Sequence, residues 1–168
     1  MALRVSVKAN TDKNQAHTNS KGEILMKNNT IKLLSEIEKA AAFGRDSTLS
    51  VMRHVNQPAM KHELAKTHRE YAQVCNDAKN SLARLGHRSG KNPQSVKMMV
   101  RTAVNSQLNR RRDPSTAAGM MIQGCTMGNV ELIKAMHENP AAADYAKEIA
   151  ARAVAEQERS IEVMKTFL

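Results

Sequence analysis

Aromatic side chains are nearly missing from this chain. Two Tyr, two Phe and no Trp serve 168 residues, and none lies between Tyr71 and Tyr145. Base stacking from that long stretch is therefore excluded. A core without rings must be filled by aliphatic and thioether groups, and eleven Met with many Ala supply them. Strands are enriched in aromatic and β-branched residues, so the same scarcity favours helices.

Other absences narrow the class further. The two cysteines, Cys75 and Cys125, form no C-x-x-C, which leaves no disulfide framework and no zinc knuckle and suggests buried thiols in a reducing compartment. No apolar run approaches the roughly 18 residues that span a bilayer. The opening M-A-L-R-V-S-V-K-A-N lacks the apolar core of a signal peptide. The expectation is a cytoplasmic protein with no transmembrane segment. There is no G-x-x-x-x-G-K phosphate loop, no nucleophile elbow and no triad order, and no cofactor is expected.

Acid is missing from one place in particular. Between Arg84 and Arg112 stand Arg84, Arg88, Lys91, Lys97, Arg101, Arg110, Arg111 and Arg112, with no Asp or Glu among them. These eight charges make most of a net +10. Such a run is a candidate for nucleic acid or another polyanion, and otherwise a solubilising face. Any nucleic-acid binding would rest on phosphate neutralisation and be independent of sequence.

What is present is helical periodicity. Residues 1–29 are polar, and Leu3, Val5 and Val7 alternate with Arg4, Ser6 and Lys8. This segment is expected to be a flexible extension, or a short strand that pairs with a second chain; Met26 also offers an alternative start. Residues 30–168 read as one domain. Leu34, Ile37, Ala41, Gly44, Thr48, Val51 and Val55 recur every three or four residues, the stripe of a bundle helix ending at Asn56-Gln57-Pro58. Met60, Leu64, Thr67, Tyr71, Val74, Ala78, Leu82 and Leu85 make a second stripe, closed by Gly86.

A long connection follows. Asn92-Pro93 predicts a short basic helix whose apolar face is Val96, Met99, Val100, Ala103, Val104 and Leu108. Asp113-Pro114 begins a third long helix with the stripe Ala118, Met121, Cys125, Gly128, Leu132 and Ala135. Gly119, Gly124 and Gly128 within it predict close helix packing. Asn139-Pro140 predicts the start of a fourth, with Ala150, Val154, Gln157, Ile161, Met164 and Leu168 facing inward.

Two tight hairpins joined by one long crossover is the topology of ferritin-like bundles. The stretch M-M-I-Q-G-C-T-M-G-N-V-E-L, Met120 to Leu132, and the ending A-E-Q-E-R-S-I-E-V-M-K-T-F-L resemble a group of small bacterial ferritin-like four-helix proteins. The resemblance covers residues 30–168. It implies the all-α fold and brings no activity with it.

Ferritin-like redox chemistry needs Glu-x-x-His on two helices, because carboxylates and imidazoles must converge inside the bundle. No Glu-x-x-His occurs in the four long helices. A non-standard site could pair His68 with Glu38, against the plainer reading of His68 as an interfacial histidine; His54 and His62 belong at the hairpin end. Met120, Met121, Met127 and Met136 could bind copper, but serve more simply as core filler. Gln157 should be a buried amide with Thr48 and Thr67 as partners.

The function expected is thus a non-catalytic, self-associating structural or interaction module. Leu3, Val5, Val7, Val96, Val100, Val104 and Leu108 are the residues that could join copies in a homo-oligomer. The alternatives are a basic DNA- or anion-binding bundle and a di-metal redox protein with an unusual site.

Overall fold

The structure is a computed structural model that describes residues 3–88, 102, 104–106, 108 and 113–168, the side chains from residue 20 onward. The described residues are helical or in turns, with no strand among them. Helix α1 runs Leu3–Met52, α2 Pro58–Arg84, α3 Pro114–Glu138 and α4 Asp144–Lys165.

The ends of these helices follow from their residues. Pro58 stands at the start of α2, where its missing N–H costs nothing. At the other end Leu85 caps the helix and Gly86 adopts φ 75°, a left-handed conformation that L side chains avoid. The Gly86 N–H then bonds the Ala83 carbonyl and the His87 N–H bonds that of Leu82, pairing carbonyls that would otherwise be orphaned. Asp113 caps α3 by accepting from the Ser115 N–H at 3.2 Å, with the Ser115 hydroxyl donating to its second oxygen at 2.6 Å.

One predicted boundary fails. Asn139-Pro140 does not begin a helix: Asn139 closes α3, its side-chain amide donating to the Ala135 carbonyl at 2.9 Å. α4 starts at Asp144, and the Ala143 N–H just before it is taken by the Thr30 hydroxyl of α1 at 2.8 Å. A tertiary partner, absent from any local pattern, sets this helix start.

α1 and α2 form one antiparallel hairpin, α3 and α4 the other. α1 lies beside α2 and α3, and α2 beside α4. Two apolar clusters fix the directions. One joins Leu33, Leu34 and Ile37 of α1 to Val74 and Leu82 of α2, Leu132 of α3 and Ala146 of α4. The other joins Val51 and Val55 to Met60 and Leu64, Ala117 and Met121, and Met164. α1 and α4 therefore run one way and α2 and α3 the other. The end of α2 at Gly86 and the start of α3 at Asp113 therefore stand at opposite ends of the bundle.

Two expectations about the flanking segments are corrected. Leu3, Val5 and Val7 lie in the first turns of α1, not in a strand or a flexible extension. A solitary strand leaves its N–H and C=O groups unpaired, whereas a helix pairs its own, and three alternating residues are too short a pattern to outweigh that. Val104 and Leu108 are buried with Val51, Val55, Met60 and Leu64, so this pair covers the chain's own bundle and is not offered to a second copy.

The inward stripe of α4 keeps Ala150, Gln157 and Met164 as expected but takes Ala153 and Ser160 in place of Val154 and Ile161. Ala146, Ala150, Ala153, Gln157, Ser160 and Met164 are buried, while Val154 and Ile161 flank the core and Leu168 is exposed. Small residues at the contact let helices approach closely and push bulk to the flanks, the reverse of a size-based choice.

Candidate functional site

Between the two apolar clusters lies a layer of polar and small residues, two levels deep. At the first level each hairpin places a glycine opposite a large side chain: Gly44 of α1 against Tyr71 of α2, and Gly128 of α3 against Gln157 of α4. A Cβ on residue 44 would lie 2.6 Å from Tyr71 Cζ, and one on residue 128 would lie 3.1 Å from Gln157 Cδ. Both glycines are thus constrained by packing, Gly44 the more strictly, since its neighbour is a buried ring and that of Gly128 is the amide end of a flexible side chain. Gly119 and Gly124 are not, since a Cβ at either would meet nothing within 4 Å. The predicted close packing holds at Gly128 and not at its two neighbours in sequence.

The second level carries Thr48, Thr67, Cys125 and Ser160, all buried. Thr48 donates to the Gly44 carbonyl within its own helix at 2.7 Å. Thr67 donates to the Ser160 hydroxyl at a long 3.5 Å. The Tyr71 hydroxyl reaches Cys125 Sγ at 3.6 Å and so ties α2 to α3. Burial raises the pKa of both Tyr71 and Cys125. The thiol stays protonated at neutral pH and is a poor nucleophile or metal ligand.

Gln157 is buried as expected, but its predicted partners bond elsewhere. Its Oε1 has no hydrogen-bond partner. An unpaired buried carbonyl costs about 1–3 kcal/mol, a cost that close fit against Gly128 must offset.

Charge enters at the edge of this layer. Arg159 donates to Glu156 at 2.6 Å, to Glu63 of α2 at 3.2 Å and to the Thr67 hydroxyl at 3.3 Å. Its pKa is raised, chiefly by the Glu156 hydrogen bond. The Glu156–Arg159 spacing of three was legible in the sequence as a helix-surface pair; the reach across to Glu63 was not. A guanidinium thus lies between the two carboxylates that converge here. A surface pair, Arg152 with Asp77, also joins α4 to α2.

The metal-type residues singled out from the sequence are kept apart. His68 lies near Arg45 and Asp46, and its pKa is lowered first by burial and then by Arg45. Glu38 is buried two turns away and faces Lys79 at 4.0 Å, roughly 12 Å along α1 from Asp46. Among the described residues no group of three or more His, Cys, Asp or Glu side chains could hold a metal ion. His54 donates Nδ1–H to the Ser50 carbonyl at 2.9 Å, and His62 is exposed, both near the hairpin end. Of the four methionines, only Met121 is fully buried and Met127 is 64% exposed, so they do not converge as a ligand set.

A cleft of about 50 Å³ lies at that same end, lined by His54, Gln57, Leu108, Asp113 and Pro114 among others. It has room for a water or two and no more.

Of the basic run, Arg84 and Arg88 are exposed, Arg84 in the last turn of α2. Lys91, Lys97, Arg101, Arg110, Arg111 and Arg112 lie outside the described residues, as do Val96 and Val100. Among the described residues no helix is long and apolar enough to cross a membrane. No protein-family model matches the chain, and comparison with curated proteins and with solved structures finds no match.

Proposed function

We propose that this protein is a non-catalytic, ferritin-like four-helix bundle that serves as a self-associating structural or interaction module. The observation that carries the reading is the overhang of α1. Its 50 residues make a rod of about 75 Å. Among the described side chains, the bundle engages it from Asn29 and Thr30, which bond the α3–α4 turn through the Ala141 and Ala143 N–H groups. Before that point residues 20–27 are exposed, and Ile24, Leu25 and Met26 are 57%, 56% and 45% open to solvent. A lone helix in water is marginal unless an apolar face is covered, and a second copy is the simplest cover. The ferritin-like assignment draws on the two hairpins, the placement of Gly86 and Asp113 at opposite ends of the bundle, and the sequence resemblance over residues 30–168.

The mid-bundle layer supports a structural role in a second way. Its interlocked Gly–Tyr and Gly–Gln pairs fix the register of four helices, and its thiol and phenol stay neutral.

Light scattering on the full chain over a concentration series tests the proposal. More than one copy per particle at high concentration is expected, and a strict monomer throughout overturns it. The competing proposal, a basic bundle that binds DNA or other anions, is favoured by the eight basic residues between Arg84 and Arg112. A salt series in a DNA shift assay decides it, since binding through phosphates falls steeply with salt; no binding at low salt removes it.

A further inference from the structure

The outer surfaces of α2 and α4 carry opposite charge. On α2, Lys66, Gln73, Asn80 and Arg84 follow at intervals of seven, seven and four, so they share one side of the helix, and all are exposed. On α4, Asp144, Glu148, Ala155 and Glu162 follow at four, seven and seven, and are likewise exposed on one side. The acids of α2, Glu63, Glu70 and Asp77, are half-buried along the seam with α4, where Glu63 bonds Arg159 and Asp77 bonds Arg152. Both strips border that seam, so they lie side by side on one face of the bundle. The seam also fixes their levels. Arg152 stands at Asp77 and Ser160 at Thr67, and the two helices run in opposite directions. Glu162 is therefore level with Lys66, Ala155 with Gln73, Glu148 with Asn80 and Asp144 with Arg84.

We infer that this face binds the same face of a second copy about a two-fold axis parallel to the helices. Such an axis sets α4 of each copy over α2 of the other and keeps every level. Lys66 then meets Glu162 of the second copy, and Arg84 meets Asp144 with Glu148 one turn away. Gln73 lies over Ala155, a long side chain over a short one. A two-fold contact of this kind is self-complementary and closes at two copies. An axis across the helices would set α2 on α2 and α4 on α4, like charge on like, and is disfavoured.

Charge also selects the occupant. An acidic partner would be repelled by the α4 strip and a basic one by the α2 strip. A second copy carries both signs at the same spacing and the same levels. Exposed ion pairs are individually weak and are screened by salt, so the dimer should form at high concentration and dissociate on dilution. This contact rests on the self-association reading in requiring that copies meet, but it lies apart from the α1 overhang and stands on charge.

Sedimentation velocity on the full chain, from micromolar to near-millimolar concentration, tests it with two charge-reversed variants. Lys66→Glu, Arg84→Glu reverses the α2 strip, and Glu148→Lys, Glu162→Lys reverses most of the α4 strip. Each alone should dimerise at least about tenfold more weakly than the native chain. Melting temperatures should stay near the native value, because all four positions are exposed. An equimolar mixture of the two should dimerise again, since each reversed strip then meets one of opposite sign. Under mild oxidation Gln73→Cys mixed with Ala155→Cys should give a disulfide between the two variants, the native thiols being buried. Neither variant alone should, since the two copies of α2, like those of α4, stand on opposite sides of the axis. If the reversed variants associate as the native chain does, alone and mixed, this face is wrong while self-association stands. A disulfide formed as readily within one variant as between the two overturns the two-fold axis. A native chain that stays monomeric throughout removes both this contact and the self-association reading.

Discussion

The far end of the Tyr71 ring occupies the place where a side chain on residue 44 would begin: Cζ and both Cε atoms lie 2.6 to 2.9 Å from the position of a Gly44 Cβ. The ring is 4% exposed, and its hydroxyl reaches Cys125 on α3. One glycine thus admits the side chain that crosses from the first hairpin to the second.

Gly44→Ala should therefore destabilise the protein despite alanine's better helix propensity. Overpacking of a filled core costs about 1–3 kcal/mol, against a propensity gain of about 1 kcal/mol. A net loss of up to about 2 kcal/mol is expected in urea denaturation. Gly119→Ala is the control: with open space around it, it should stabilise by about 0.5–1 kcal/mol. Equal effects at the two positions would refute the contact.

Gln157→Leu should hold or raise stability, by up to about 1 kcal/mol. It removes an Oε1 without a partner and keeps most of the buried volume over Gly128. A loss above about 1 kcal/mol would mean that the amide is satisfied in solution by bound water.

Arg159→Met should destabilise by about 1–3 kcal/mol, because Glu156 and Glu63 keep their charges but lose the cation between them. Both carboxylates are partly open to solvent, which keeps the figure below that for a fully buried pair. The double variant Arg159→Met, Glu63→Gln should recover part of the loss, as a double-mutant cycle would measure.

His68 makes stability depend on pH. Burial, aided by Arg45 and Arg69 and opposed by Asp46, holds its pKa below the ordinary 6.5. The unfolded chain therefore binds the proton more readily, so this contribution is complete above about 6.5 and is lost as pH falls through the lower folded value. His68→Gln should flatten the slope of melting temperature with pH in that window. An unchanged slope would assign it to other groups.

Much of the fold was legible in the residues. Every third or fourth apolar position from Leu34 to Val55 and from Met60 to Leu82 is buried or, at Gly44, filled by a neighbour's side chain. Pro58, Gly86 and Asp113 end or start helices where turn chemistry puts them. These are local matters: helical period and caps act within a few residues of chain. α4 was misread where the judgement depended on which helix lay opposite, since Ala146, Ala153 and Ser160 are core only because a neighbour comes close.

The candidate site was less legible. Gln157 was foreseen as buried, but not that Gly128 would receive it or that Thr48 would bond its own helix instead. The sequence by itself determined four long helices within residues 30–168, the inward faces of the first three and the need for one long connection between two hairpins. Tertiary structure alone decided that Thr30 sets the start of α4, that Arg159 spans Glu156 and Glu63, and that Met127 and Val130 are left uncovered. The physical reason is range: periodicity and capping are properties of neighbours in sequence, whereas these pairings join residues as far apart as Thr30 and Ala143 and exist only once four helices are packed.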